Sequence, residues 1–281
     1  MIITIANHKG GVGKTAITTN LAFSLLKVPE CKNVLIIDMD PQANTTDIIC
    51  KESNHISSYV SGLLKYAVTE NVNFSEPNEK LAHLETMIKE STVITIMPDQ
   101  KTLSLIPSSL ELTKTKIELS TRESIANFKI KELIRYISKS YDFTLIDTPP
   151  SIELLTFSAI ASSDYVIIPI QLDSHAIKGA IDIINDILPI VNQYYNPRTK
   201  LLGIVINTFE ERTRIGKLTL PRVKEMFKEL VFETTISRSV KITELGFLKT
   251  ALTDMPGSKS YEEFRKFTEE VISRLNKYEQ G

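Results

Sequence analysis

The residues best suited to chemistry form a glycine-rich loop near the start of the chain. Residues 7–15 read Asn-His-Lys-Gly-Gly-Val-Gly-Lys-Thr. Glycines let backbone N–H groups turn inward around phosphate oxygens, and the positive end of a following helix strengthens that field. In such a loop Lys14 reaches the β- and γ-phosphates of a nucleotide, and the Thr15 hydroxyl coordinates Mg²⁺. The spacing therefore predicts a nucleotide-binding phosphate loop.

The loop departs from the usual phosphate-loop pattern at its first position. The pattern G-x-x-x-x-G-K-[ST] requires glycine at position 8, where this chain has His8. A second lysine, Lys9, follows at once, so Lys9–Thr15 fits a variant of the pattern. A strand-like run precedes the loop and a helical pattern follows it. Because that is the context a phosphate loop requires, we favour this interpretation over a glycine turn that binds nothing.

Two acidic segments follow, each at the end of an apolar run. Asp38 and Asp40 come after Val34–Ile37, and Asp147 comes after Phe143–Ile146. Ligands of open α/β sheets gather at the carboxyl ends of the strands, and alternation points Asp38 and Asp40 the same way. We predict that one of these two joins the metal shell while the other orients a water. Asp147 is predicted to bind Mg²⁺ through water. Taken alone, the segment with Asp38 and Asp40 also suits a turn built from aspartate and proline.

Short apolar runs alternate with helical patterns over most of the chain. Runs that are apolar at successive positions are typical of strands buried on both faces of a parallel sheet. The predicted strands are Ile2–Ala6, Val34–Ile37, Phe143–Ile146, Tyr165–Ile170 and Leu201–Ile206. The predicted helices cover residues 14–27, 176–194 and 219–230. This alternation predicts an α/β fold with a doubly wound, mainly parallel sheet flanked by helices.

The region from about residue 51 to 125 has a weaker pattern. Val93–Met97 and Leu103–Ile106 are candidate strands, and Tyr59–Tyr66 is a candidate helix. The polar segment Thr69–Lys80 is predicted to be a surface loop. There is no internal repeat and no linker, so residues 1–281 are predicted to form a single domain with a variable region.

Composition narrows the class of protein without naming a ligand. The 281 residues carry a net charge of −1, and 42% are hydrophobic. The stretch Arg198–Lys241 holds 10 basic and 5 acidic residues, which suits a solvated surface or an anion-binding face. Two cysteines, no signal-peptide pattern and no apolar run of about 20 residues favour a cytoplasmic protein.

Several of these motifs, in this order, resemble those of the ParA family of DNA-partition ATPases. That family lies within a wider group that includes MinD and the nitrogenase iron protein. The similarity extends from residue 2 to about residue 275 and is loosest across 51–125. The matching segments are Lys9–Thr15, Asp38–Gln42, Asp147–Ser151, Leu155–Asp164, Tyr165–Gln171, Gly203–Arg212 and Ile236–Glu244.

The resemblance implies roles at the nucleotide. Lys9 corresponds to the signature lysine, which reaches the ATP of the other subunit in a sandwich homodimer. Asp40 corresponds to the aspartate that positions the attacking water, so Lys9, Lys14 and Asp40 are the expected catalytic residues. The expected metal residues are Thr15, Asp38 and Asp147. The expected residues for ATP are Lys9, Gly10, Gly11, Val12, Gly13, Lys14, Thr15, Ala16, Asn207 and Thr208.

The resemblance also implies macromolecular partners. Arg238 and Lys241 align with basic positions that the family uses for DNA, and Arg212 and Arg214 are weaker candidates for the same face. The expected partners are a second copy with ATP, non-specific double-stranded DNA and a ParB-like centromere-binding protein. Together these imply slow, Mg²⁺-dependent, partner-stimulated ATP hydrolysis and a cytoplasmic, nucleoid-associated location.

Three positions depart from the family pattern. Ala16 replaces a second threonine, so one hydroxyl contact to phosphate is missing. Ser237 stands where the family has proline, and Lys241 replaces the more frequent arginine. The first change bears on the phosphate site, and the other two bear on the expected DNA face.

Two other functions remain open from the sequence. A MinD-like membrane switch needs a basic amphipathic tail, but Tyr261–Tyr278 is acid-rich and is better explained as a helix packed on the core. A kinase or ligase that acts on a small molecule also remains possible, because the phosphate loop does not identify the molecule that accepts the phosphoryl group. An iron–sulphur ATPase is excluded, since no cysteine follows Cys50.

Overall fold

Seven strands form one sheet in the computed structural model, which describes residues 1–50, 58–209, 214–238 and 257–280. The strands are β1 (Ile2–Ile5), β2 (Asn33–Asp38), β3 (Val93–Ile96), β4 (Thr102–Ile106), β5 (Phe143–Asp147), β6 (Tyr165–Ile170) and β7 (Lys200–Ile206). Their order across the sheet is β3-β4-β2-β5-β1-β6-β7. All neighbours are parallel except β3 and β4, which are antiparallel. The predicted fold class is confirmed.

Helices cover both faces of this sheet. They are α1 (Lys14–Leu25), α2 (Asn44–Ile49), α3 (Val60–Thr69), α4 (Glu79–Ser91), α5 (Glu111–Ser120), α6 (Glu123–Ser138), α7 (Leu154–Ser162), α8 (Ser174–Asp182), α9 (Leu188–Tyr194), α10 (Arg214–Phe227) and α11 (Lys259–Gln280). A short π-helical turn, Ile183–Ile187, joins α8 to α9. In the long stretch predicted as one helix over 176–194, the chain thus stays helical with a local change of pitch.

The central strands are buried on both faces, as their unbroken apolar runs predicted. In β6, Val166, Ile167 and Ile168 are all fully buried although alternate side chains face opposite sides. One side of the sheet packs against α1 and α11, and the other packs against α3, α6 and α7. This double cover holds the strand ends at one edge in fixed register.

The region of weak pattern contains more helix than the sequence predicted. The candidate strands there are confirmed as β3 and β4, and the candidate helix as α3. The predicted surface loop ends where α4 begins, at Glu79. We did not predict α4 or α5; in α4 only Leu81, Leu84 and Ser91 are buried, which leaves a faint apolar stripe.

The acid-rich tail is a helix packed on the core, as its spacing predicted. In α11 the apolar residues Phe264, Phe267, Val271 and Leu275 are all buried. None of the described helices combines the length and the apolar composition needed to cross a membrane.

Candidate nucleotide-binding site

The predicted motifs meet at the carboxyl edge of the sheet. Asp38 lies opposite Asp147 in the register of β2 and β5, and Ile5 lies opposite Asp147 in the register of β1 and β5. The glycine-rich loop leaves β1 at the same edge and leads into α1. Parallel pairing therefore brings the loop and the two acidic positions together, as carboxyl ends of neighbouring strands must.

The loop is shaped by a glycine that no other residue replaces easily. Gly13 has a φ of 91°, a left-handed conformation that strains side-chain-bearing residues. A Cβ at this position would lie 1.9 Å from the amide nitrogen of Asn207. That amide donates a hydrogen bond to the carbonyl of Val12 at 2.8 Å. The end of β7 is thus fastened directly to the phosphate loop.

Lys14 is buried within the loop and fixed by backbone oxygens. Its ammonium group donates to the carbonyls of Asn7 at 3.0 Å and Lys9 at 3.2 Å. Burial lowers the pKa of Lys14, while the negative charges of Asp147 and Asp40 act in the opposite direction. The two carbonyls therefore hold the ammonium group in the middle of the loop.

Asp147 is completely buried and has one carboxylate oxygen to spare. Oδ2 accepts hydrogen bonds from the hydroxyls of Thr15 and Thr45, both at 2.7 Å, whereas Oδ1 has no hydrogen-bond partner among the described residues. Burial raises the pKa of Asp147 to about 6, although both threonine bonds oppose the shift. A buried, unpaired oxygen beside a phosphate loop is the donor that a hard cation such as Mg²⁺ prefers.

Both carboxylate oxygens of Asp38 accept hydrogen bonds from the protein. Oδ2 accepts from the backbone N–H and hydroxyl of Thr46, at 2.9 and 2.7 Å, and Oδ1 accepts from the N–H of Asp40 at 3.1 Å. Burial, followed by the neighbouring charge of Asp147, raises the pKa of Asp38. The carboxyl group therefore ties β2 to α2, and its expected place in the metal shell stays a prediction.

Asp40 lies beside these groups and is nearly buried. Its Oδ1 accepts a hydrogen bond from the N–H of Gln42 at 2.9 Å, and its charge acts on Lys14. Sequence reasoning missed Thr45 and Thr46, which fasten Asp147 and Asp38. The available signal was the pair of hydroxyl residues, Thr45 and Thr46, that begins three positions after Gln42.

Lys9 is held differently from Lys14. Its ammonium group pairs with Asp173 Oδ2 at 2.8 Å and donates to Gln171 Oε1 at 3.3 Å, with 29% of the side chain exposed. Gln171 also donates to the carbonyl of Gly11, and Asp173 caps the first turn of α8. Both residues follow β6 and were not predicted as site residues. In this structure Lys9 thus lies against its own chain.

The basic positions expected to bind DNA are only partly placed. Arg238 is exposed, and its backbone N–H donates to the carbonyl of Phe209 at 3.2 Å. Arg214 begins α10, while Arg212 and Lys241 lie outside the described residues. Thr208 has a φ of 54° at the end of β7, so it turns the chain beside the loop.

Ser237, one of the departures from the family pattern, has a structural role. Its N–H and its hydroxyl both donate to the carboxylate of Glu263 in α11, at 2.9 and 2.6 Å. A proline would have no N–H to donate, so serine allows a contact that proline cannot make. The segment before Arg238 is therefore anchored to the last helix.

These residues fit a magnesium–nucleotide complex. Inward-turning glycines, a buried lysine, the N-terminus of α1 and an unpaired oxygen on Asp147 are what phosphates and their metal require. The other residues expected at ATP, namely Gly10, Gly11, Val12, Thr15 and Ala16, lie in this loop or the first turn of α1. The architecture defines the class of protein as a P-loop nucleotide-binding protein.

Comparison with known proteins narrows that class. The AAA domain family matches residues 1–201 of the chain. The chromosome partitioning protein ParA of Myxococcus xanthus is 30% identical over 275 residues, which are 97% of this chain and 88% of that protein. The sporulation initiation inhibitor protein Soj of Bacillus subtilis is 30% identical over 97% of this chain and 98% of its own. The chain belongs to the ParA/MinD family of P-loop ATPases.

Solved structures agree with this assignment. A plasmid partition protein of Borrelia burgdorferi B31 bound to AMPPNP superposes with a TM-score of 0.71 and 26% identity, covering 99% of this chain and 98% of that one. Cobyrinic acid a,c-diamide synthase of Mycobacterium smegmatis, with a bound ATP analogue and magnesium, has a TM-score of 0.74 at 23% identity over 98% and 95%. That second likeness shows the shared fold alone.

Proposed function

We propose that the whole chain acts as one ParA-type ATPase domain that binds ATP with Mg²⁺ and serves DNA partition. The observation that supports this best is the pair of threonine hydroxyls on Asp147 Oδ2; the other buried carboxylate oxygen has no hydrogen-bond partner in the described part of the chain. The partition proteins among its relatives, and AMPPNP on the Borrelia protein, support the same function.

Hydrolysis at such a site depends on positioning and charge more than on covalent chemistry. When bound, Mg²⁺ neutralises charge on the phosphates. Lys14 holds a fixed positive charge in the loop, and Thr15 and Asp147 present oxygens for the metal shell, with Asp38 behind them. Asp40, near Lys14 and free at one oxygen of described hydrogen bonds, orients a water for attack.

We further propose that ATP closes a homodimer in which Lys9 leaves Asp173 and reaches the nucleotide of the other copy. Asn207 and Thr208 lie beside the loop, where we place the adenine. The ion pair between Lys9 and Asp173 is partly exposed, so breaking it costs little free energy. The dimer joins two basic faces, each with Arg238, Lys241, Arg212 and Arg214.

Two weakly basic faces acting together give non-specific DNA binding that depends on ATP and falls with salt. This holds the protein on the nucleoid until a ParB-like partner accelerates its slow hydrolysis. The MinD-like alternative finds no support in α11, because its apolar residues are buried in the core. A membrane would need that face exposed.

The test is DNA binding with ATP, with ADP and without nucleotide, for the native chain, Lys14→Ala and Asp40→Ala. We expect the native chain to bind DNA only with ATP. Asp40→Ala should keep that binding while hydrolysis disappears, and Lys14→Ala should lose both.

Lys80→Ala is the matched control, because Lys80 is an exposed lysine paired with Glu70 far from the loop. It should behave as the native chain does. Equal DNA binding in all three nucleotide states would overturn the proposal.

A further inference from the structure

One of the two edge strands of the sheet, β3, has an unusual composition. β3 is the last strand in the sheet, and no described strand pairs with its outer side. Its residues, Val-Ile-Thr-Ile, include no charge, and Ile94 and Ile96 are 61% and 78% exposed. Edge strands are normally protected by charged residues, proline or a bulge, because their free N–H and C=O groups pair readily with other strands.

The hydrogen bonding of the hairpin fixes which backbone groups are free. The N–H of Met97 donates to the carbonyl of Lys101 at 2.8 Å, and β3 then pairs with β4 residue by residue from Ile96 to Val93. In an antiparallel ladder, residues alternate between facing the partner strand and facing away from it. Thr95 therefore faces β4, and Ile94 and Ile96 point their N–H and C=O groups outward.

We propose that β3 is a docking edge for β3 of a second copy of this chain, in an antiparallel pair. Hydrogen-bonded pairs must join residues whose groups point outward, so Ile94 of each copy faces Ile96 of the other. This register makes four backbone hydrogen bonds, and its two-fold axis passes between the Thr95 residues. A self-complementary edge of this kind suits a symmetric dimer.

Side-chain placement supports the same register. Residues directly opposite each other in an antiparallel pair lie on the same face. All four isoleucines of the pair therefore gather on one face, where they cover each other. The carboxyl edge with the phosphate loop is not involved, so this pairing needs no nucleotide and differs from the ATP dimer proposed above.

The first test measures self-association of the nucleotide-free protein by analytical ultracentrifugation. The native chain should form discrete dimers. Thr95→Lys places two lysines opposite each other at the axis, so we expect the dissociation constant to rise about tenfold or more. Thr113→Lys is the matched control, because Thr113 is exposed on α5 and away from the edge, and it should dimerise as the native chain does.

The second test uses the axis itself and does not depend on Thr95→Lys folding. Opposed residues in a non-hydrogen-bonded pair have Cα atoms about 4.5 Å apart, within disulfide range. Thr95→Cys should cross-link two copies under mild oxidation. Ile94→Cys should not, because it faces Ile96 and its own equivalent is too far away. The native Cys31 and Cys50 are both buried, so they leave the background low.

Two results would overturn the proposal. One is a native chain that stays monomeric without nucleotide at high micromolar concentration. The other is cross-linking of Ile94→Cys as readily as Thr95→Cys, because that would indicate a different register or random collision.

Discussion

The two lysines of the phosphate loop are five residues apart and are held in opposite ways. Lys14 is buried, and its ammonium group is fixed by two backbone carbonyls. Lys9 is partly exposed, and its ammonium group rests on the side chains of Asp173 and Gln171. Backbone carbonyls cannot swing away, whereas a surface ion pair contributes little and opens easily.

That difference separates two tasks within one loop. The end of the loop at Gly13–Thr15 is built as a fixed receptor for phosphates. The beginning, at His8 and Lys9, holds its cation only through side chains, which suits the release of Lys9 that we propose. We therefore expect conformational change at this site mainly at Lys9, and each half can be tested alone.

The largest expected effect comes from removing the fixed charge. Lys14→Ala should weaken ATP binding about 100-fold and reduce hydrolysis by about 1,000-fold, because Lys14 is the one cation that the described residues place at the centre of the loop. Fluorescent-nucleotide titration and phosphate release measure the two quantities. Near-native ATP affinity in a folded Lys14→Ala variant would contradict the assignment of Lys14 as the fixed receptor.

Removing the releasable charge should separate binding from turnover. Lys9→Ala should keep its ATP affinity within about threefold, yet lose ATP-dependent dimers and about 100-fold in hydrolysis, because its charge acts in the other subunit. The same titration together with light scattering reports this. If Lys9→Ala loses nucleotide binding as Lys14→Ala does, the two halves are not distinct.

Acidification should affect only the fixed half. The pKa of Asp147 is raised to about 6, so protons compete with Mg²⁺ there below that value. The pKa of Asp173 is lowered, because its bonds to Lys9 and to the first turn of α8 outweigh its burial. Mg²⁺-dependent nucleotide affinity should therefore fall about tenfold per unit as the pH drops below 6, while the Lys9–Asp173 pair persists.

Calorimetry over a pH series, with Asp147→Asn as the comparison, measures this. The free energy of unfolding should respond to pH in the opposite direction from the nucleotide affinity. Because burial raises the pKa of Asp147 from 3.8 to about 6 in the folded protein, the free energy of unfolding of the nucleotide-free protein should rise as the pH falls from about 6 to about 4. A pH-independent Mg²⁺ affinity in the native chain would show that Asp147 is not the metal-linked group.

The smallest expected effect comes from loosening the hold on Lys9. Asp173→Asn keeps a good cap for α8 but removes the ion pair, so ATP-dependent dimerisation should strengthen about two- to fivefold. Glu153→Gln, which breaks the exposed pair with Lys116 elsewhere, is the matched control. Weaker dimerisation of Asp173→Asn would mean that Asp173 assists the released lysine instead of restraining it.

Much of the fold was predictable because the central strands are buried on both faces. Their unbroken apolar runs located β1, β2, β5, β6 and β7 to within one or two residues. Parallel register then forced Asp38 and Asp147 to the same edge as the loop. The helices α4 and α5 were missed because they lie at the periphery, where few positions are buried and the apolar stripe is faint. The short α2 and the core-packed α6 and α7 were not predicted either.

The site was predictable as far as its motifs and no further. Thr45 reaches Asp147 from α2, and Gln171 reaches the loop from the end of β6; only the crossovers of the chain bring them there. The resemblance implied a contact of Asn207 with adenine, and that stays a prediction; the hydrogen bond from its side-chain amide to the carbonyl of Val12 was not predicted. Contacts between distant segments depend on packing, which periodicity does not encode.

The hydrogen bond from Asn207 to Val12 links the phosphate loop to the end of β7. The family match ends at residue 201, so Asn207 belongs to the part that follows it. Because Asn207 lies directly against Gly13 and is bonded to Val12, we expect any shift of the loop on ATP binding to displace the end of β7 as well. We therefore expect the position of Asn207 to differ between the ATP-bound and ADP-bound states.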